Sequence, residues 1–272
     1  MKIAYCAGHY LNTPGKRCLK SIDPNETREW VLNDRVADYF AKAAAEYEGV
    51  ELLRTDDPTG KTFIDIPERT AAANRWGADL YVDMHHNAGI NGGSGGGVVA
   101  YCYPNSSKGK SYRNAIYEAV VAAGGLRGNR SQPLQEKKFD SLRLAHAPAV
   151  LMEYGFMDST TDTPVILTEA YAKAVGYATM EGIAKVAGLK KKPTESKEDK
   201  YTMQMRTLKR GHKGEDVKAL QILLNGRDCN CGSPDGIFGE NTEAAVRKYQ
   251  KAKKLTVDGI AGPATLSSLL GV

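Results

Sequence analysis

Residues 79–89 read DLYVDMHHNAG. A short run rich in Leu, Tyr, Val and Met, closed by Gly89, has the length and composition of a buried strand rather than a helix. It ends in two imidazoles and an amide. Because successive strand side chains point to opposite faces, His85 and His86 project to opposite sides of whatever sheet this strand joins. Similar runs recur as KIAYCA (2–7), VELLRT (50–55), GVVAYCY (97–103) and AVLMEYG (149–155). Helical patterns lie between and after them, at about Arg28–Tyr47, 67–77, Ser107–Ala123 and Thr163–Ala187. This alternation predicts an α/β fold, with a mostly parallel twisted sheet flanked by helices.

The chain has 272 residues, 42% hydrophobic and 25% charged, enough for two domains with real cores. The net charge of +5 is mild and scattered, without the basic and aromatic interleaving of a nucleic-acid surface, so no nucleic-acid partner is expected. No segment approaches the roughly 18 apolar residues of a membrane span. The opening MKIAYCAGH is too short and polar for a signal peptide, so synthesis in the cytoplasm is expected. Cys6, Cys18, Cys102, Cys229 and Cys231 read as free thiols, since Cys229-x-Cys231 lacks a second pair to complete a zinc site.

A catalytic domain is expected over 1–188. Residues 189–200, LKKKPTESKEDK, hold eight charged residues and a proline, and mark a linker over 189–202. The remainder, 203–272, contains an internal echo: DGIFGENTEAAV from Asp235 and DGIAGPATLSSL from Asp258. With the amphipathic EDVKALQILLN before them, the two copies predict a small C-terminal three-helix domain.

In a parallel sheet the carboxyl ends of the strands share the edge where ligands bind. His9, His85 and Glu153 fall at or near three such ends. Glu29 lies one turn before Leu32, on the stripe that the helix from Arg28 turns toward the core, so its carboxylate starts out aimed at that edge. Each has an ordinary structural reading: a carboxylate in a first helical turn suits the helix dipole, and a strand-end histidine can be a satisfied core residue. Together, two His and one Glu are the ligand set of an open catalytic zinc site, and Glu153 is a carboxylate available to move protons.

The blocks IAYCAGHYLNTPGKR, REWVLNDRVADYF, DMHHNA and PAVLMEYGFMD resemble, in order, the motifs of the zinc-dependent N-acetylmuramoyl-L-alanine amidases of the amidase-3 type, across about residues 1–187. The resemblance implies Zn2+ on His9, Glu29 and His85, where Glu29 is picked out by Asn33 four residues on, and makes Glu153 the catalytic carboxylate. His86 departs from the small residue usual between the ligand histidine and Asn87. A substrate contact, a hydrogen bond behind the ligands and an exposed ring are its open readings, with Asn87 beside it. Residues 206–271 resemble the type 1 peptidoglycan-binding domain.

The implied activity is hydrolysis of the amide between N-acetylmuramic acid and L-alanine of the peptidoglycan stem, on bacterial peptidoglycan as partner, after release at host lysis as for a phage endolysin. A zinc peptidase cutting within the stem, or a silent wall-binding protein, are the other readings of the activity, and a bacterial autolysin exported by another route is the other reading of the origin. GGSGGG (92–97) is expected to be a flexible loop beside the site, KGKS (108–111) lacks the first glycine of a phosphate loop, and His146 has structural and substrate-side readings. No G-x-S-x-G elbow is present, which disfavours covalent catalysis by serine.

Overall fold

The computed structural model describes residues 1–193 and 206–271. The chain divides into two compact units, Met1–Thr194 and Glu195–Val272. The first runs β1 (Lys2–Ala7), α1 (Glu29–Ala44), β2 (Glu51–Arg54), α2 (Ile66–Trp76), β3 (Leu80–Asn87), β4 (Val99–Cys102), α3 (Ser107–Gly124), β5 (Leu134–Glu136), α4 (Asp140–Leu144), β6 (Ala149–Phe156), α5 (Thr163–Ile166) and α6 (Glu169–Ala187). The second holds α7 (Glu215–Asn225), α8 (Glu240–Ala252) and α9 (Pro263–Leu270).

The six strands form one sheet in the order β2-β1-β3-β6-β4-β5. β2, β1, β3 and β6 are mutually parallel, as expected. GVVAYCY differs: β4 runs antiparallel to β6, and the short β5, which the sequence reading passed over, pairs parallel to β4. The expected helix over Thr163–Ala187 is two helices, because Thr168 caps α6 by accepting from the Tyr171 N–H.

Alternate strand residues separate two cores. Ile3, Tyr5, Val82, Met84, Val150, Met152 and Tyr154 pack with α1, α3 and α6, whereas Ala4, Cys6, Tyr81 and Leu151 pack with Ala73 of α2 and Leu142 of α4. The start of the expected linker is attached to the first unit: Glu48 donates its N–H to the Lys190 carbonyl at 2.9 Å, and Lys192 to that of Glu46 at 2.7 Å. The rest of that linker, from 194 to 202, and the first residues of the expected C-terminal domain, 203–205, lie outside the described residues.

In the second unit the sequence echo is a repeated turn. The amide of Gln221 donates to Asp235, the Ile237 carbonyl and Thr242, and accepts from the Gly236 N–H; Gln250 does the same with Asp258, Ile260, Thr265 and Gly259. Each buried glutamine thereby fastens an Asp-Gly turn to the helix that follows it.

α6 sits close to its neighbours because it is glycine there. A Cβ on Gly176 would lie 2.6 Å from Tyr39 Cβ and 2.8 Å from the Val36 carbonyl oxygen of α1. Gly176→Ala is therefore expected to destabilise the first unit by about 1–3 kcal/mol by overpacking, despite the helix-propensity gain of about 1 kcal/mol. A lower urea midpoint at unchanged slope checks this.

Candidate active site

β1 ends in the turn that presents His9. Gly8 donates its N–H to the Met84 carbonyl at 2.8 Å, and the His85 ring lies so close that a Cβ on Gly8 would be 2.1 Å from Cε1. His9 itself adopts a left-handed φ of 66°, a conformation L side chains rarely take unless the surroundings hold it. Arg69, buried on α2, supplies that hold: its guanidinium donates to the carbonyls of Ala7 at 3.1 Å and His9 at 2.6 Å.

Glu29 opens α1 and is 1% exposed. Its Oε1 is 3.0 Å from His85 Nδ1 and 3.3 Å from His9 Nε2. It also accepts the His86 N–H at 3.3 Å. The two imidazoles meet edge to face with ring centres 4.9 Å apart. Donor atoms of His9, Glu29 and His85 all lie within 4.8 Å of one another. A tetrahedral zinc with ligands at about 2.0–2.1 Å separates its donors by about 3.3 Å, so the present spacings suit such an ion. Glu29 Oε2 is buried without a hydrogen-bond partner, with Lys16 Nζ at 3.6 Å, which leaves an oxygen for a cation.

Behind His85 stands Asp83, which the sequence reading did not single out. Its Oδ1 is 3.0 Å from His85 Nε2 and accepts from the Cys6 thiol at 3.0 Å. Strand parity carries the signal: Asp83 lies two residues before His85 and so shares its face. With Nε2 bearing the proton toward Asp83, the Nδ1 lone pair is turned to the cluster. Burial opposes charge on His85, but Asp83 and Glu29 overcome it and hold its pKa well above the ordinary value. Burial likewise opposes ionisation of Glu29, and the two imidazoles outweigh it and hold the carboxyl well below the usual range.

Glu153 is the register partner of His85 across β3 and β6, so both side chains leave the same face side by side. Burial pushes its carboxyl up to about 8, with His85 opposing the rise and Glu29 adding to it. Its Oε2 is buried and has no hydrogen-bond partner.

The register shifts between His85 and Asn87, re-aiming the end of β3. His86 is 2% exposed and faces the helical core, its Nδ1 2.8 Å from Asn33 Oδ1 and its ring near Tyr154. The Asn33 amide that partners it also donates to the Gly8 carbonyl at 3.1 Å and reaches Glu29 Oε1 at 3.5 Å. Asn87 borders a cavity with Tyr101 and Arg130. His146 is exposed at the amino end of β6, away from the site edge, where its N–H donates to Asn74 Oδ1. All five cysteines are buried free thiols.

The glycine-rich loop is tied down rather than loose. Asp158 Oδ2 accepts three successive N–H groups, from Gly89, Ile90 and Asn91, at 2.7–2.8 Å. Asp162 Oδ2 accepts those of Gly97 and Phe156. Glycine serves close approach here, since a Cβ on Gly97 would lie 2.5 Å from the Arg127 carbonyl oxygen.

A mostly parallel sheet that gathers two imidazoles and two carboxylates at one edge defines a class, and comparison with known proteins gives its family. Residues 3–185 match the N-acetylmuramoyl-L-alanine amidase family, and the chain belongs to it. Residues 213–269 match a peptidoglycan-binding domain family. The chain is 32% identical over 151 residues to the sporulation-specific N-acetylmuramoyl-L-alanine amidase of Bacillus subtilis, covering 54% of each. It is 32% identical over 166 residues to the endolysin of Bacillus phage SPP1, covering 57% of this chain and 58% of that one. It thus spans about half the length of the curated relatives it matches. In fold it resembles the N-acetylmuramoyl-L-alanine amidase of Clostridium difficile 630, with a TM-score of 0.61 at 21% identity, over 69% of this chain and 96% of that one.

Burial holds His86 neutral, with its pKa lowered to about 3. Between that value and about 6.5, where an unfolded histidine titrates, the unfolded state binds the extra proton; stability is full above this window and falls as pH drops through it, by up to about 1.4 kcal/mol per pH unit. His86→Gln, which cannot titrate, is expected to flatten the acid limb of a denaturation profile measured between pH 6.5 and 4. An unchanged slope would refute the assignment.

Proposed function

We propose that this protein is a zinc amidase that cleaves peptidoglycan between the lactyl group of N-acetylmuramic acid and L-alanine of the stem peptide. The observation that carries this reading is the convergence of His9 Nε2, Glu29 Oε1 and His85 Nδ1, with Glu153 in register beside His85, in a chain of the amidase family. Two imidazole nitrogens and a carboxylate suit zinc, and they leave a coordination position open. When bound, the ion lowers the pKa of water to about 7 and polarises a carbonyl.

The protein's own groups do the rest. Asp83 fixes the tautomer of His85, and Arg69 fixes the backbone that carries His9. Glu153, half-buried with its Oε2 enclosed and its carboxyl pushed up to about 8, takes the proton of the attacking water and returns it to the departing amine nitrogen. The C-terminal unit is assigned to wall binding; holding the enzyme on a polymer raises the local substrate concentration without any new contact at the site.

Glu153→Gln is expected to lower wall hydrolysis by about 10²–10⁴-fold with zinc content unchanged, whereas His85→Ala loses the metal by elemental analysis. Mass spectrometry of the digest reads the bond: new amino ends on L-alanine support the amidase, new ends further along the stem support a peptidase, and no new ends a silent binder. Near-normal hydrolysis by Glu153→Gln would remove its assigned role.

The likeness to a phage endolysin supports action on the wall from inside the host cell after release. Expression in a host cytoplasm should leave the cells intact until the membrane is permeabilised, and turbidity should then clear; lysis without permeabilisation would contradict this route.

A further inference from the structure

Beyond Glu153 the sheet continues into β4, and a second feature of the edge lies there. Val99 is the antiparallel partner of Glu153, and Tyr101 follows two residues on. With Asn87, Arg130, Gln135 and Phe156 they line a cavity of about 300 Å³. The Arg130 guanidinium stacks on the Phe156 ring at 4.4 Å, a contact that orients its plane and leaves its N–H edge available. Among the described residues no carboxylate lies within 4.0 Å of it, whereas Arg127 on the same loop reaches Glu118 at 3.7 Å. The loop is clamped on both sides of Arg130: Gly96 donates to Asn129 Oδ1 at 3.1 Å, and Ala100 to the Pro133 carbonyl at 2.8 Å. The phenol of Tyr101 is raised chiefly by burial, with Glu153 adding to the rise and Asn87 and Arg130 opposing it.

The flank on the other side of His85 is different in kind. A cavity of about 320 Å³ there is lined by Phe63, Ile66 and Pro67 against His9 and His85. Its one cation, Arg69, is committed to the carbonyls of Ile64, Ala7 and His9. Of the two guanidiniums that line these cavities, Arg69 and Arg130, the one available to an anion is therefore on the β4 flank. In the substrate proposed above, the lactyl carboxyl is consumed in the scissile amide, so negative charge next to that bond lies on the peptide. An extended peptide advances about 3.3 Å per residue, as β4 does, so the residue after alanine comes abreast of Tyr101 when the scissile bond is at Glu153.

Resting on that functional reading, we propose that Arg130, with Tyr101 and Gln135, forms a specificity subsite for the free carboxylate of the second stem residue, and that the peptide leaving group lies along β4 while the glycan lies on the Phe63 flank. Guanidinium–carboxylate pairing is stronger and more directional than pairing with a neutral amide, so amidation of that carboxylate weakens recognition.

The test uses the zinc-loaded full chain and soluble muramyl peptides whose second residue, D-glutamate, carries its α-carboxyl either free or as the carboxamide. The wild type is expected to favour the free carboxylate by about tenfold or more in kcat/KM. In Arg130→Ala that ratio collapses toward one, mainly through KM on the carboxylate substrate. Arg130→Lys keeps part of it, and Lys173→Ala, an exposed charge removed from α6, keeps all of it. A ratio unchanged in Arg130→Ala, equal losses on both substrates, or a wild type indifferent to amidation overturns the subsite. Mass spectrometry of the same digests separates the two ideas: cleavage elsewhere than before L-alanine overturns the amidase reading, while binding of the two peptides by calorimetry still reads the charge preference.

Discussion

The His85 ring lies against the backbone at Gly8, closer than any side chain there would permit. That contact fixes the separation of two adjacent strand ends, and the rest of the site follows from it. β1 can deliver His9 beside His85 because nothing stands between the strands at Gly8. The left-handed turn at His9 is held by Arg69 from one side and by the β1–β3 ladder from the other. The register of β3 with β6 then sets Glu153 beside His85. Two donors, His9 and His85, and the proton carrier Glu153 are thereby placed by backbone pairing, and the third donor, Glu29, arrives from a helix.

This arrangement buries more charge than a hydrophobic core tolerates without compensation. Isolated carboxylates at the depth of Glu29 and Asp83 are strongly disfavoured unless paired or hydrogen-bonded. His85, bridging both, serves as their shared partner, which explains why its pKa rises although burial acts against it. Glu153 has no such partner, and burial raises its carboxyl to about 8, so it can take up and give back a proton near neutral pH. The same sheet edge thus holds carboxylates whose pKa values are pushed in opposite directions, the separation of roles that acid–base chemistry at a metal needs.

Much of this was legible in the sequence, for physical reasons that also mark where legibility stopped. Burial on both faces makes parallel strands continuous apolar runs, so KIAYCA, DLYVDMH and AVLMEYG announced themselves, and with them the edge that holds His9, His85 and Glu153. Direction is not written in a four-residue strand: GVVAYCY looks alike parallel or antiparallel, and β5 is too short to show a period. Asp83 was hidden because a carboxylate inside an apolar strand looks like an interruption until its face is matched to His85. His86 could be assigned to the opposite face by parity, but its role required Asn33, contributed by a helix some fifty residues away. The four-residue interval between Glu29 and Asn33 had registered as a motif; its cause is that one helical turn sets the carboxylate beside His85 and the amide beside His86.

Composition misled most at the glycine-rich loop. Six residues with five glycines suggest freedom, because glycine admits many backbone conformations in the unfolded chain. The same property lets backbone approach backbone and side-chain oxygens so closely that Asp158, Asp162 and Asn129 can fasten the loop through its N–H groups. The entropy lost in ordering those glycines is offset by these hydrogen bonds, several of them charge-assisted and therefore stronger than neutral ones. The glycine loop in turn supports its neighbour: the segment carrying Arg130 packs on Gly95, where a Cβ would meet the Asn129 side chain, and on Gly97, where one would meet the backbone of Arg127 and Gly128. The backbone of the flank beyond Glu153 is thus tied by hydrogen bonds on both sides of Arg130. A clamped cation can select among ligands by charge and geometry, whereas a mobile one would contribute only diffuse attraction.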